Sequence, residues 1–419
     1  MNGTYIDKYF YAVFLFTLTF GVMLYNIISS TIGFAYTDEL CALFLFVLFG
    51  VYLFTTKDWE MNRAFLATLA VFAFYVGYSL YIRSNSAVAI ASDLFIQVKP
   101  YLAFFCAYSI APVMGRRRKA LLRDVSLVYW FALLLIGLSN LVYPRAIELT
   151  MSHPSYYASA VVVTSLCYLY CTRFTLVDKL TFLAMLAIGI VSGRSKFYGF
   201  YAMAIFVVVF FSNMKRFKWN VRNVIIIAGM IAVMTVVAWQ KINLYFYQAV
   251  TEEVERDMIA RYVLYATTPE IFSDYFPFGS GLASYATYAS GLYYSDIYAQ
   301  YGIDGVWGIT KGYYSFIADT YYPSLAQFGV VGVVMYITFW VYLFRRMIRF
   351  YKSGSARDMH YPVIITLLAG YLAVEGIAAS TFIANDGVFA MLLMGLTLAG
   401  MKQESGESGE HSTIELNEA

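Results

Sequence analysis

Apolar segments of about twenty residues recur along nearly the whole chain, and they constrain its fold more than any other feature. The 419-residue sequence is 61% hydrophobic and 13% charged, whereas a soluble domain carries about 25% charged residues. A helix needs ~20 mostly apolar residues to cross a bilayer. The pattern therefore predicts an all-α polytopic membrane protein with about 12 transmembrane helices. The predicted spans are 9–29, 38–55, 63–82, 92–114, 122–143, 154–172, 180–193, 197–213, 223–239, 322–344, 361–381 and 384–401. As an alternative, residues 180–213 form fewer spans or re-entrant ones.

The distribution of positive charge predicts how these spans are oriented. With the N-terminus in the cytoplasm, 20 of the 29 Lys and Arg residues fall on the cytoplasmic side, as the positive-inside rule requires. An even number of spans then leaves both termini in the cytoplasm. The basic runs at 116–119 and 345–346 are interpreted as topology anchors, so no nucleic-acid partner is expected.

One long polar stretch, residues 240–321, interrupts the spans and is expected to face outward. Connections longer than ~12–15 residues are uncommon and usually functional. The chain thus divides into spans 1–9 (1–239), this loop with short helices (240–321), spans 10–12 (322–402) and a disordered cytoplasmic tail (403–419). The sequence contains no P-loop motif. Chemistry on the outer side must therefore draw on a pre-activated, membrane-delivered substrate or on a gradient.

Basic residues on the outer side go against the topology rule, and four of them are candidates for anion binding. Arg194 and Lys196 lie in a tight turn between two short spans, and Arg256 and Arg261 lie in a helical-looking segment, roughly 244–266. Guanidinium groups form bidentate, charge-assisted hydrogen bonds with phosphate oxygens. A diphosphate held in this way becomes a better leaving group.

Each of these assignments has a structural alternative. Arg194 is also placed where a long side chain snorkels to the membrane interface. Arg261 is also placed to form a surface salt bridge with Asp257 or Glu253. For Lys196 and Arg256 a purely structural role is the stronger interpretation.

Charged residues inside predicted spans are further candidates. A charge near the bilayer centre costs at least ~2.5–3.5 kcal/mol, so it is functional by default. Lys99 lies in the fourth span, near enough to its outer end to snorkel to the interface, which is the alternative for this residue. Glu375 lies in the eleventh span and is placed to pair with Lys99 or Arg194; a purely structural ion pair is its alternative. His153 is the one histidine expected outside, which argues against an outward histidine-based metal site.

The outward loop is also rich in tyrosine, whose rings and hydroxyls suit both sugars and the lipid interface. Both interpretations stay open, and the aromatic content of the whole chain, 19%, favours the interface for any single residue. The tyrosines concerned are Tyr285, Tyr288, Tyr293, Tyr294, Tyr298, Tyr301, Tyr313, Tyr314, Tyr321 and Tyr322.

Four sequence patterns follow one another along the chain. They are Ser192-Gly-Arg-Ser195 between two spans, a loop helix with Arg261, Asp274-Tyr-Phe-Pro-Phe-Gly-Ser-Gly-Leu282, and Asp319-Thr-Tyr-Tyr-Pro-Ser-Leu-Ala-Gln-Phe-Gly-Val-Val-Gly332. Their types and order resemble the O-antigen polymerase/ligase superfamily. His153-Pro-Ser-Tyr-Tyr-Ala158 is similar to a further turn of that family. The ligase branch has a histidine where this chain has Ala318. The resemblance therefore favours the polymerase branch.

The resemblance implies a GT-C-like fold, a bacterial inner-membrane location and no cofactor or metal. It implies that a glycan on undecaprenyl diphosphate is transferred to one repeat unit on a second such lipid. Arg194 and Arg261 would hold the diphosphate, and Asp319 would orient or deprotonate the attacking hydroxyl. The candidate substrate-binding residues are Lys196, Arg256, Lys99, His153, Tyr321 and Glu375.

The expected partners are undecaprenyl-linked glycans, membrane lipid, a chain-length regulator and a flippase. Three alternatives remain open at this point. One is an O-antigen ligase, which transfers polymer to lipid A core or protein. The second is a polytopic transporter or lipid-glycan flippase, since many transporters have comparable numbers of spans. The third is a structural scaffold of an envelope assembly complex.

Overall fold

The computed structural model describes residues 3–24, 37–55, 59–210, 229, 256–353 and 359–405. Within these ranges the chain is helical, and its one extended contact is an isolated bridge between Thr310 and Tyr313. The helices are α1 (Gly3–Phe16), α2 (Thr37–Thr55), α3 (Trp59–Ile82), α4 (Ala87–Ile110), α5 (Arg116–Val142), α6 (Ala146–Met151), α7 (Pro154–Cys171), α8 (Leu176–Ala187), α9 (Ser195–Phe210), α10 (Arg256–Asp274), α11 (Tyr288–Leu292), α12 (Ile297–Gln300), α13 (Gly329–Ser353), α14 (His360–Glu375) and α15 (Asn385–Glu404).

Among the described residues, five helical segments are long and apolar enough to cross a membrane, which makes this part of the chain all-α and of membrane type. They are Tyr5–Met23, Arg63–Ile82, Ala87–Ile110, Arg116–Val142 and Pro323–Ser353. Shorter apolar helices cover Glu39–Phe54, Ser195–Phe210 and His360–Glu375. The count of twelve spans stays a prediction. Its ninth span, 223–239, lies outside the described residues apart from residue 229, as do 240–255 and the tail from 406.

Helix α15 is the centre of the bundle, because its side chains are buried on all sides. It packs most closely against α4. A Cβ atom on Gly395 would overlap the backbone oxygen of Phe104, so the two helices approach each other at a point where only glycine fits. Small residues at such crossings let backbones come together and gain packing contacts in a bilayer.

Residues 256–321 form a small unit at one end of the bundle, which we call the lobe. The lobe has its own apolar core, with Ala260 and Leu264 of α10 packed on Tyr285 and Tyr298. The Tyr285 hydroxyl donates to the Leu264 carbonyl over 2.6 Å, and both tyrosines are fully buried. Several of the tyrosines that suggested a sugar or lipid surface are therefore structural.

The motif at 274–282 attaches the lobe to the bundle, and we call residues 274–284 the docking segment. Gly279 has φ +82° and meets the backbone of Gly329 at the start of α13. The amide of Gly281 donates to the Gln327 carbonyl over 2.9 Å, and that of Leu282 to the Ser79 hydroxyl over 2.8 Å. This contact between backbones explains why the segment is rich in glycine.

A buried carboxylate completes this attachment. Asp93 in α4 is fully buried, and its Oδ2 accepts a hydrogen bond from the Ala283 amide over 2.7 Å. The side-chain amide of Asn85 donates to the Ala283 carbonyl over 2.8 Å. In the sequence Asp93 is the second residue of the predicted span 92–114, and its burial against the lobe was not expected. Its helix begins at Ala87, five residues before the predicted span.

The loop helix also differs from its prediction. It was expected over roughly 244–266, and its described part runs from Arg256 to Asp274 with Pro269 inside. The helix therefore ends where the docking segment begins. The stretch 180–213 contains two helices, α8 and α9, separated at Gly193.

Candidate functional site

Six residues singled out in the sequence meet at the lobe end of the bundle. They come from separate parts of the chain: the start of α7, the turn before α9 and its first residues, the lobe, and the end of α14. We call them the polar cluster: His153, Arg194, Lys196, Arg261, Asp319 and Glu375. Arg194 contacts the His153 ring, and Lys196 and Arg261 lie close enough for their charges to act on it.

Arg194 is positioned by the turn that separates α8 from α9. Gly193 adopts the left-handed conformation with φ +67°, which only glycine takes without strain, and this ends the short 3-10 segment after α8. The Ser192 hydroxyl accepts a hydrogen bond from the Arg194 amide over 3.3 Å. The guanidinium Nη2 then lies 2.5 Å from Nε2 of His153.

His153 supports this arginine as a neutral ring. Its Nδ1 caps α7 by accepting from the Ser155 amide over 3.2 Å. A neutral imidazole has one acceptor nitrogen, so the ring serves either this amide or Arg194 at any one time. Partial burial and the charges of Arg194, Lys196 and Arg261 lower the pKa of His153 to about 4. Near pH 7 the ring therefore contacts Arg194 without cancelling its charge.

Arg261 is held by an ion pair inside the lobe. Its Nε donates to Oδ2 of Asp319 over 2.7 Å, and its Nη2 contacts the same oxygen. The guanidinium carbon lies 6.0 Å from the centre of the Phe316 ring. The two charged side chains are 18% and 28% exposed, so a ligand at the surface can reach them. Glu253, a partner considered from the sequence, lies outside the described residues.

Lys196 and Glu375 form the third contact of the polar cluster. Lys196 Nζ lies 2.7 Å from Oε2 of Glu375 and 3.1 Å from the Ala378 carbonyl. The Thr381 hydroxyl donates to the same carboxylate over 3.4 Å. The sequence indicated Lys99 or Arg194 as the partner of Glu375; the ion pair in the structure is with Lys196, and Lys99 contacts Glu39 instead.

The turn between α14 and α15 fixes the lobe over the cluster. The Tyr265 hydroxyl donates to the Ile377 carbonyl over 2.7 Å, and the Tyr321 amide donates to the Gly376 carbonyl over 3.1 Å. The Ser380 hydroxyl donates to the Ala318 carbonyl. Asp319 is therefore tied to the same turn that follows Glu375, which brings the two carboxylates to one site.

Asp386 is a neighbour of this site that sequence reasoning did not select. It lies in the first turn of α15 and interacts electrostatically with Glu375, and Ser159 is its polar neighbour. Both Asp386 and Asp319 act on the Tyr156 hydroxyl. In the sequence Asp386 was one of many acidic residues on the predicted outer side, and its local pattern did not distinguish it from the others.

Two predicted site residues lie elsewhere. Lys99 is buried in the bundle, and its Nζ lies 3.2 Å from Oε1 of Glu39 on α2. The Tyr321 ring is also buried, 5.0 Å from the ring of Phe382, and lines an apolar cavity of about 250 Å³ between α3, α4 and α13. Arg256 is the first residue of α10. These placements do not add Lys99 or the Tyr321 side chain to the polar cluster.

The arrangement suits an anion better than a metal ion. Its donors are guanidinium and ammonium groups, which bind phosphate oxygens, and its carboxylates are paired with them. Within the described ranges, no three His, Cys, Asp or Glu side chains are grouped as ligands for a metal. No protein-family model matches the chain, and no curated protein matches it significantly.

Proposed function

We propose that this protein is a glycosyltransferase that polymerises oligosaccharide repeat units carried on undecaprenyl diphosphate. The product would be O-antigen, capsular or exopolysaccharide made at the outer face of a bacterial inner membrane. One observation carries the proposal: Arg194 and Arg261, far apart in the chain, converge with Lys196 around His153. A site with three cations suits a diphosphate.

In the proposed reaction the acceptor hydroxyl attacks the anomeric carbon of the donor glycan. The new glycosidic C–O bond forms as the bond to the diphosphate oxygen breaks, and the lipid diphosphate leaves with the electron pair. Arg194 and Arg261 stabilise the charge that develops on the departing oxygens. The hydroxyl proton passes to a carboxylate of the site.

The contact with Arg261 gives Asp319 a second role besides that of base. Asp319 holds the guanidinium by two hydrogen bonds to one oxygen. Hydrogen bonds from a cation favour the ionised form of a carboxylate. An ionised carboxylate in turn holds the guanidinium in a fixed position. We propose that Asp319 first positions Arg261, and that the same carboxylate orients the attacking hydroxyl.

The proposal includes a topology. Twelve spans, a GT-C-like arrangement and cytoplasmic termini place the polar cluster on the outer side, where lipid-linked glycans arrive after flipping. A flippase and a chain-length regulator are the proposed partners. Cysteines introduced singly at position 145 and at position 117 should react with an impermeant maleimide from the outside and the inside, respectively. Labelling of both from one side would contradict the topology.

The decisive experiment uses purified protein in detergent with lipid-linked repeats isolated from cells that lack it. Wild-type protein should extend the repeats, which excludes pure transport because there is no membrane to cross. Arg194→Ala and Arg261→Ala should each reduce extension by about 100-fold or more, as loss of a charge-stabilising donor does. Arg145→Ala, which removes an exposed arginine at the start of α6, is the control.

The outcomes separate the alternatives. Full-length polymer from both arginine variants would reject the diphosphate role. Accumulation of polymer on the lipid carrier indicates a polymerase, whereas transfer to lipid A core or to protein indicates a ligase. No extension by folded wild-type protein would reject the glycosyltransferase.

A further inference from the structure

Two aromatic side chains on the surface of the lobe stand out from the buried ones around them. Trp307 is 42% exposed and Tyr313 is 43% exposed, and their ring centres are 4.9 Å apart. The rings are tilted by 42°, so together they form a shallow angled surface. Many exposed apolar residues of this protein lie on membrane-type helices, whereas these two lie on the lobe.

The segment that carries these rings is held rigidly. Ile309 and Ile317 are fully buried in the lobe core on either side of Tyr313. The Phe316 amide donates to the Gly308 carbonyl over 3.1 Å. Gly308 has φ +86° and lies against the Phe316 ring, where a Cβ atom would overlap it. An exposed aromatic pair on a fixed segment loses little conformational entropy when it binds a ligand.

This surface is continuous with the polar cluster. The Trp307 ring centre is 5.3 Å from that of Phe316, and the Phe316 ring centre is 6.0 Å from the Arg261 guanidinium. One ring therefore separates Trp307 from the cation that binds the diphosphate in the proposed function. A chain attached to a diphosphate held by Arg261 would therefore have the aromatic pair within reach.

The chemistry of the pair fits a sugar. One face of a pyranose ring presents C–H groups, which pack on an aromatic face, while its hydroxyls bond to polar neighbours. Lys311 and Ser315 lie two residues before and after Tyr313 in the chain and are exposed, so the same segment also carries polar side chains. The indole N–H and the tyrosine hydroxyl add polar groups at the ring edges.

We propose that Trp307 and Tyr313 form a saccharide-binding subsite that holds the glycan of a lipid-linked substrate a few sugars from the bond being made. This inference rests on the proposed glycosyltransferase function and names the part of the substrate that the lobe recognises. It also gives the lobe a role in chain growth, because a glycan that stays bound between additions is extended further before it dissociates.

The test is a binding measurement on the full-length protein with a defined probe. The probe is the lipid-free oligosaccharide released from lipid-linked repeats, which lacks the diphosphate. Trp307→Ala should weaken its binding by about tenfold, since one stacking contact is lost. Trp307→Phe should recover most of the affinity. Tyr288→Ala, which removes a ring 54% exposed on the same lobe, should not change it.

Chain length provides an independent readout. Trp307→Ala should shorten the polymer while the rate of the first linkage changes less than about twofold. If Trp307→Ala bound the oligosaccharide and made polymer just as the wild-type protein does, the subsite would be overturned. The proposed glycosyltransferase function would not be affected by that result. Absence of polymer from wild type would instead overturn the proposed function.

The competing occupant is the lipid surface. Brominated lipids quench tryptophan fluorescence on contact, so the difference in quenching between wild type and Trp307→Phe reports whether Trp307 meets lipid. We expect no difference in vesicles of brominated phosphatidylcholine. Quenching confined to Trp307 together with unchanged glycan binding would assign the rings to the membrane interface and reject the subsite.

Discussion

The docking segment and the polar cluster lie at the same boundary between lobe and bundle, but they are built differently. The docking segment uses backbone groups, with Gly279 against Gly329 and amides donating to Ser79 and Asp93. The polar cluster uses long charged side chains from helix ends and turns. Both drew attention in the sequence through motif-like patterns. The comparison shows that one pattern joins two parts of the fold through backbone contacts, whereas the other brings charged side chains from distant parts of the chain together.

The largest effect is expected from Gly279→Ala in the docking segment. Its new Cβ atom would overlap the Gly329 amide, and φ +82° is unfavourable for alanine. Crowding and the left-handed conformation together should cost about 3 kcal/mol of stability. Thermal unfolding in detergent should show a lower midpoint and proteolysis should release the lobe. Gly312→Ala, with open space around its Cα, is the control; equal stability of the two variants would contradict the docking role.

Asp319→Asn tests the polar cluster without disturbing the docking segment. The amide keeps one acceptor oxygen but loses the charge that holds Arg261. We expect extension of lipid-linked repeats to fall by about 10–100-fold, while the unfolding midpoint stays near the wild-type value.

A double-mutant cycle with Arg261→Lys separates the two roles of Asp319. If positioning dominates, the effects of Asp319→Asn and Arg261→Lys should be strongly non-additive. If Asp319 acts only as a base, the carboxylate loss should reduce the rate by a similar factor in both backgrounds, within the 10²–10⁴-fold typical of a positioned base. An unchanged rate in Asp319→Asn would remove this residue from the reaction.

Lys99 provides a third case for comparison with the docking segment and the polar cluster. It is a charged residue selected from the sequence, and the structure places it in neither of these regions. It pairs with Glu39, whose side chain is 33% exposed. Lys99→Met should therefore cost about 1–2 kcal/mol, less than removal of one partner of a fully buried pair. Lys99→Met combined with Glu39→Gln should recover part of this loss. The rate of glycan extension should not change; a tenfold fall in a folded variant would return Lys99 to the site.

The sequence predicted the helical membrane character because hydrophobic content and span length follow directly from the bilayer. It also selected Arg194 and Arg261, because cations on the outer side conflict with the positive-inside rule. Asp93 and Asp386 were not recognised, since the surroundings of a carboxylate depend on contacts between residues far apart in the chain. The positions of Tyr285 and Tyr298 in the core were missed for the same reason. A tyrosine-rich sequence is equally typical of a protein core, a membrane interface and a sugar-binding surface.

The smallest effect is expected at His153. Its ring is neutral near pH 7 and therefore does not take part in an ion pair. Its pKa is lowered to about 4 in the folded protein, whereas an unfolded histidine titrates near 6.5. The unfolded chain therefore binds the proton first as the pH falls, so His153 reduces stability between pH ~6.5 and 4 and has no such effect above pH 7. His153→Gln removes this term. Between pH 7 and pH 4.5, the unfolding midpoint of wild type should fall by about 1–2 °C more than that of His153→Gln. The effect is small because one edge of the ring is exposed. A difference that stays constant over this range would show that the ring is not surrounded by the three cations, and would weaken the case for an anion site at this end of the bundle.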